Sequence, residues 1–94
     1  MPSVHYQLRW PDGSVARCHS PSTVIKHYLA PHTRYPLVRF MELAREAYPR
    51  ASERVREVYG YACSSAADQL EVLEREAARF ADQPDAVVEV HDLA

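Results

Sequence analysis

Hydrophobic and polar residues alternate cleanly at the start of the chain. Along "SVHYQLRW" (residues 3–10), Val4, Tyr6, Leu8 and Trp10 fall on one side, and His5, Gln7 and Arg9 on the other. Period two predicts a strand with one buried face. "PDG" (residues 11–13) then predicts a turn: proline presets φ, aspartate bonds its own backbone and glycine accepts positive φ. "SVARCHS" (residues 14–20) predicts the returning strand. A three-residue loop pairs Trp10 with Ser14, Leu8 with Ala16 and Tyr6 with Cys18, and sets His5 opposite His19. A two-residue loop reverses the second strand and buries Arg17. The first register is preferred, because it hides Ala16 and Cys18 and leaves Arg17 wet.

The period then lengthens. Ser20 before Pro21 predicts a helix start, with serine as cap and proline at the first helical position, Ser22 and Thr23 facing outward, and Val24, Ile25, Tyr28 and Leu29 as a short apolar face. "APHTRYP" (residues 30–36) predicts a loop. A second helix follows from near Pro36, carrying Leu37, Phe40, Met41, Ala44 and Tyr48, until Pro49 breaks or kinks it. A third carries Ala51, Val55, Val58 and Tyr59, with Gly60 as its stop. The clearest helical stripe is Ala66, Leu70, Leu73, Ala77 and Phe80, opened by a capping box from Ser65 to Asp68. "AVVEVHDL" (residues 86–93) predicts a last strand with Val88 and Val90 inward. The order β-β-α-α-α-β, with three or four helices, predicts an α+β fold: a three-stranded antiparallel sheet with helices packed on one face.

Ninety-four residues make one domain, 1–94, with 47% hydrophobic and 26% charged residues. No apolar run reaches the roughly 18 residues of a membrane span, and the start lacks the pattern of a signal peptide. Cys18 and Cys63 form neither a disulfide framework nor a metal knuckle, so a cytoplasmic setting is expected. Net charge is −2, unevenly spread. Residues 1–45 hold six Lys or Arg against Asp12 and Glu42, a net of +4, and residues 46–94 hold five Arg against eleven acids, a net of −6. Such polarity fits a basic face for an anion, mutual attraction of the two halves, or docking on a neighbour.

Several blocks together resemble one small bacterial family, the nitrogen-starvation-response proteins: "RWPDG" (residues 9–13), "SPSTVI" (20–25), "YPL" (35–37), "ASERVR" (51–56) and "YGYACSSAADQL" (59–70). Members are encoded beside a nitrilase, a radical-SAM protein, an acetyltransferase and a flavin-dependent oxidoreductase. The resemblance implies a role in that pathway, tied to nitrogen limitation and nitrile or cyanide metabolism. It implies no catalytic residues.

The residues themselves offer two chemistries. "SPST" and "CSS" place hydroxyls and free backbone N–H groups at helix starts, which suit anions. With Arg9 or Arg17 nearby, Ser22, Thr23 and Ser64 would form a pocket for a small anionic ligand; plain capping explains Ser20 and Ser65 without one. Cys18 and Cys63 each precede a helix start, where a thiol pKa falls; the plainer reading is two small buried apolar residues. No metal site is expected, since no close-spaced ligand pair exists, and no cofactor is expected. A Ser64-His19-Asp68 arrangement lacks a nucleophile-turn signature. Scarce lysine, negative net charge and inward-facing Tyr6 and Trp10 argue against nucleic acid. These features favour a non-catalytic accessory or binding protein, acting as a homo-oligomer or beside a pathway enzyme. The alternative is a small enzyme with Cys63 or Cys18 as nucleophile and the helix starts as anion hole.

Overall fold

A computed structural model describes residues 3–60, 64–83 and 85–93. Strands β1 (Val4–Arg9) and β2 (Val15–Ser20) form the expected hairpin. Its register is that of the three-residue loop, with Leu8 opposite Ala16, Tyr6 opposite Cys18 and His5 opposite His19. Trp10 N–H donates to Ser14 O at 2.8 Å, and Gly13 takes φ 89°, a left-handed value that glycine adopts without strain. The Asp12 carboxylate accepts from both the backbone N–H and the hydroxyl of Ser14, which holds the turn.

The sheet has four strands, not three. Residues 33–36, expected as loop, form β3 (Thr33–Pro36), and β4 (Val87–His91) lies between it and β1 in the antiparallel order β2-β1-β4-β3. The strand was masked by its shortness and its flanking prolines. A proline ends an edge strand at little cost, because no ladder bond is asked of its missing N–H. β3 runs directly into the next helix, whose first residue, Leu37, donates its N–H to Ala86 O at 2.9 Å.

Two helices stand where three were expected. Helix α1 (Leu37–Tyr59) passes straight through Pro49. Leu37, Phe40, Met41, Ala44, Ala47, Tyr48, Ala51 and Val55 are buried, one continuous stripe on both sides of the proline. Pro49 sits on the exposed face. The carbonyl it leaves without an intrahelical donor belongs to exposed Arg45, so water can serve it. Burial of the stripe outweighs the roughly 3 kcal/mol that an interior proline costs. Gly60, at φ 76°, ends the helix. Helix α2 (Ser65–Ala78) packs against α1, with Ser64 as N-cap residue making no side-chain cap hydrogen bond.

The first helix start is also displaced. Ser20 is the last residue of β2, and the following element is a short 3₁₀ helix, Thr23–His27, capped by Ser22, whose Oγ accepts from Val24 N–H at 3.2 Å. Ser20 and Ser22 are both buried and bonded to each other: Ser20 Oγ donates to Ser22 O at 2.8 Å and accepts from Ser22 N–H at 3.3 Å. A second serine two residues on competes for the cap, and the strand claims the first.

Both helices cover one face of the sheet. The core joins Val4, Tyr6, Leu8, Trp10, Cys18, Val88 and Val90 to the α1 stripe from Leu37 to Tyr48, to Ala66 and Leu73 of α2 and to Phe80; Leu70 packs at its margin, half-buried. Among the described residues no element covers the opposite face.

Candidate functional site

Strand alternation decides what the uncovered face displays. If Tyr6, Leu8 and Val90 point inward, then His5, Gln7 and Arg9 of β1, Arg17 and His19 of β2, Glu89 and His91 of β4, and Arg34 of β3 point outward. The registers arrange them in rows across the sheet. Val15, Arg9, Glu89 and Arg34 form one; Arg17, Gln7 and His91 form the next; His19 and His5 form a third. Ring centroids lie 6.4 Å apart in the His5–His19 pair and 5.9 Å apart between His91 and His32. Val15 and Val87 are the exposed large apolar residues of this face, 51% and 44% exposed.

Two hollows divide the face. One, about 420 Å³, is lined by Arg9, Arg34, Glu89, Val87 and, from the turn, Pro11 and Gly13. Its charge is closed only in part, because Arg9 has no ion pair among the described residues: Arg34 Nε donates to Glu89 Oε2 at 3.0 Å, and His91 Nε2 lies 2.6 Å from Glu89 Oε1. Partial loss of water would raise the Glu89 carboxyl, but the Arg34 hydrogen bond and the charges of His91, Arg34 and Arg9 hold it below its usual value. The second hollow, about 570 Å³, is lined by His5, Gln7, Arg17, His19 and Asp92. Both volumes lie in the range that small ligands occupy.

The pocket expected from sequence is therefore divided between two places. Arg9 and Arg17 share the open face as diagonal neighbours on paired strands, and neither has an ion-pair or hydrogen-bond partner among the described residues. Ser22 is buried within the turn after β2 rather than facing outward, Thr23 is exposed, and Ser64 lies at the start of α2. Among the described residues no hydrogen bond joins Ser64 to Ser22 or Thr23. Sequence reading missed His5, Gln7, His19 and Asp92 as companions of Arg17. The alternation already set the first three on its side, but only the pairing of β4 with β1 brings Asp92 to it.

Cys18 is placed for packing, not for attack. It is 3% exposed, and burial pushes its thiol up to about 12 despite an opposing hydrogen bond with Tyr6. A nucleophilic thiol requires the reverse, a depressed pKa and an open approach. The other candidate thiol, Cys63, lies outside the described residues. Around Cys18 runs a buried hydroxyl chain. Tyr48 OH donates to His19 O at 2.8 Å, so its one proton is committed, and the Tyr6 hydroxyl donates to Tyr48 Oη at 2.7 Å. Burial raises both phenols above their ordinary range. His19 N–H is taken by Gln69 Oε1 of α2 at 3.2 Å. Thus α1 and α2 each send one side chain to His19 on edge strand β2, satisfying backbone groups that would otherwise invite another strand.

Among the described residues no group of three or more His, Cys, Asp or Glu is placed to hold a metal ion, and no helix is long and apolar enough to cross a membrane. The family model for nitrogen starvation-induced protein NitG matches residues 5–93. The chain belongs to the NitG family. No curated protein and no solved structure matches it. For this NitG-family chain the match takes in both hollows, both helices and all of the sheet except Val4, so the open face lies within the matched region.

Proposed function

We propose that this NitG-family protein is a small non-catalytic binding protein of the nitrogen-starvation response, and that it works through the open face of its sheet. The observation that carries the reading is that uncovered face. A four-stranded sheet normally buries one side and either solvates or docks the other. Here the free side bears Arg9, Arg17 and Arg34 against Glu89, the imidazoles His5, His19 and His91, and the exposed apolar Val15 and Val87. Mixed cation and apolar exposure suits an acidic partner surface better than bulk water alone.

The partner is an enzyme of the same response, and the resemblance to proteins encoded beside a nitrilase and a radical-SAM protein supports looking there first. Self-association belongs to the same reading, with exposed Asp68 and Glu71 of α2 offering a complement to the basic face of another copy. Cys18 supports no thiol chemistry, for the reasons of burial and raised pKa given above.

The experiment is affinity isolation from nitrogen-starved cells, with mass spectrometry of the recovered proteins, run beside a Val15→Asp/Val87→Asp variant. Both sites are exposed, and a thermal melt of the variant checks that it folds. The expected result is one or more proteins recovered with the parent and lost with the variant. Equal recovery by both removes the open face as the docking surface.

A further inference from the structure

The two hollows on the open face have different walls, and they differ in how their carboxylate is paired. In the first, Arg34 and Glu89 satisfy each other. In the second, Arg17 and Asp92 line one hollow without meeting. Arg17 on β2 and Asp92 after β4 have neither an ion pair nor a hydrogen bond with any described residue. The register explains why: β1 runs between them, with Gln7 opposite Arg17 on one side and His91 on the other. Two strand spacings of about 4.8 Å each separate their backbones.

We propose that this hollow binds a small aminocarboxylate, a ligand carrying one ammonium and one carboxylate a few ångströms apart. The Arg17 fork takes the carboxylate, the geometry for which guanidinium is suited. Asp92 takes the ammonium. The Gln7 amide, between them, and the His5 and His19 rings at the margin supply further hydrogen bonds. A simple anion meets Arg17 but is opposed by Asp92; a simple cation meets the reverse. Only a ligand with both charges has both complemented. The hollow's 570 Å³ holds such a molecule with its first waters. This deepens the binding reading above and rests on it in taking the open face as the working surface.

Asp92 sits at φ 50°, a left-handed conformation that Asp and Asn tolerate better than other branched or bulky residues. Asp92→Asn therefore removes the charge and keeps the backbone, and Arg17→Gln does the same on an exposed strand position.

The test is titration of the purified protein, followed by backbone amide NMR, with 4-aminobutyrate as the zwitterionic probe and butyrate and butylammonium as its single-charge halves, at constant ionic strength. The expected result is saturable shifts centred on Gln7, Arg17, His19 and Asp92. 4-Aminobutyrate should bind roughly 10-fold tighter than either half, the worth of one charge-assisted contact. Arg17→Gln should bring the zwitterion down to the level of butylammonium, and Asp92→Asn to that of butyrate, with unchanged melting of both variants. Butyrate binding as tightly as 4-aminobutyrate, shifts indifferent to both substitutions, or no saturable shift overturns the proposal. Partner recovery from cells reads the docking surface separately, so loss of this ligand with retained partner capture refutes the ligand alone.

Discussion

Tyr48→Phe removes one oxygen atom from the core and should be among the most damaging conservative changes in the molecule. That oxygen has two duties: it donates to His19 O at 2.8 Å and accepts from the Tyr6 hydroxyl at 2.7 Å. Without it, the His19 carbonyl loses its donor and the buried Tyr6 hydroxyl keeps only the thiol of Cys18, a weak acceptor. Leaving a buried polar group unsatisfied costs about 1–3 kcal/mol. Two such groups, one only partly enclosed, give about 2–3 kcal/mol. For a domain of this size that is a fall in Tm of about 10–20 °C. Tyr6→Phe leaves the Tyr48 proton on His19 and removes only the end of the chain, so it should cost about 1 kcal/mol. The double variant has no stranded Tyr6 hydroxyl, and should be no less stable than Tyr48→Phe alone, giving a coupling energy of about 1 kcal/mol. Urea denaturation of the four proteins, with ellipticity as the signal, measures all three quantities. A Tyr6→Phe cost equal to or above that of Tyr48→Phe, or strictly additive costs, would refute the committed-proton argument.

Alkali should unfold the protein early. Cys18 is raised from 9.0 to about 12 in the folded state, so the unfolded chain loses its proton first, and stability falls as pH climbs from about 9 towards 12. Tyr6 and Tyr48 are raised above 10.0 and steepen the same decline. Thermal melts across that window should show it, with Cys18→Ala flattening its lower part. Ser22→Ala should cost about 1 kcal/mol as a lost cap, and Ser20→Ala at least as much, since its buried hydroxyl makes two bonds to Ser22; equilibrium denaturation separates these from Thr23→Ala, which should be nearly silent. Gln69→Ala should free the His19 N–H on edge strand β2 and speed its hydrogen exchange, whereas an unchanged rate would remove Gln69 as the guard of that edge. Breaking the Arg45–Glu74 pair, at 2.7 Å but about half exposed on each side, should shift stability by less than about 1 kcal/mol in a double-mutant cycle.

What the chain determined by itself was whatever follows from short-range periodicity. The alternation from Val4 to Trp10 and the Pro-Asp-Gly turn specify the β1–β2 hairpin, its register and its buried side, because a slip of one residue would expose the whole apolar set. The stripe through Leu73 and Phe80 likewise specifies the inward side of α2 and the turn beyond it. The family, too, was legible, in blocks spread from Arg9 to Leu70.

Tertiary structure decided the rest, wherever a local preference was overruled by a distant partner. β3 is a strand because β4 offers it a ladder and Glu89 meets Arg34; "HTRYP" alone is too short and too closely flanked by prolines to specify one. Pro49 lies inside a helix because eight buried residues hold α1 together around it. Ser20 loses the cap to Ser22 because β2 keeps it. The candidate site follows the same rule. Arg17, Gln7, His5 and His19 share a face by alternation that can be read locally, but Asp92 joins them only because β4 pairs with β1, some 85 residues along the chain from Gln7. Local pattern assigns each side chain a direction; long-range strand pairing assigns it its neighbours.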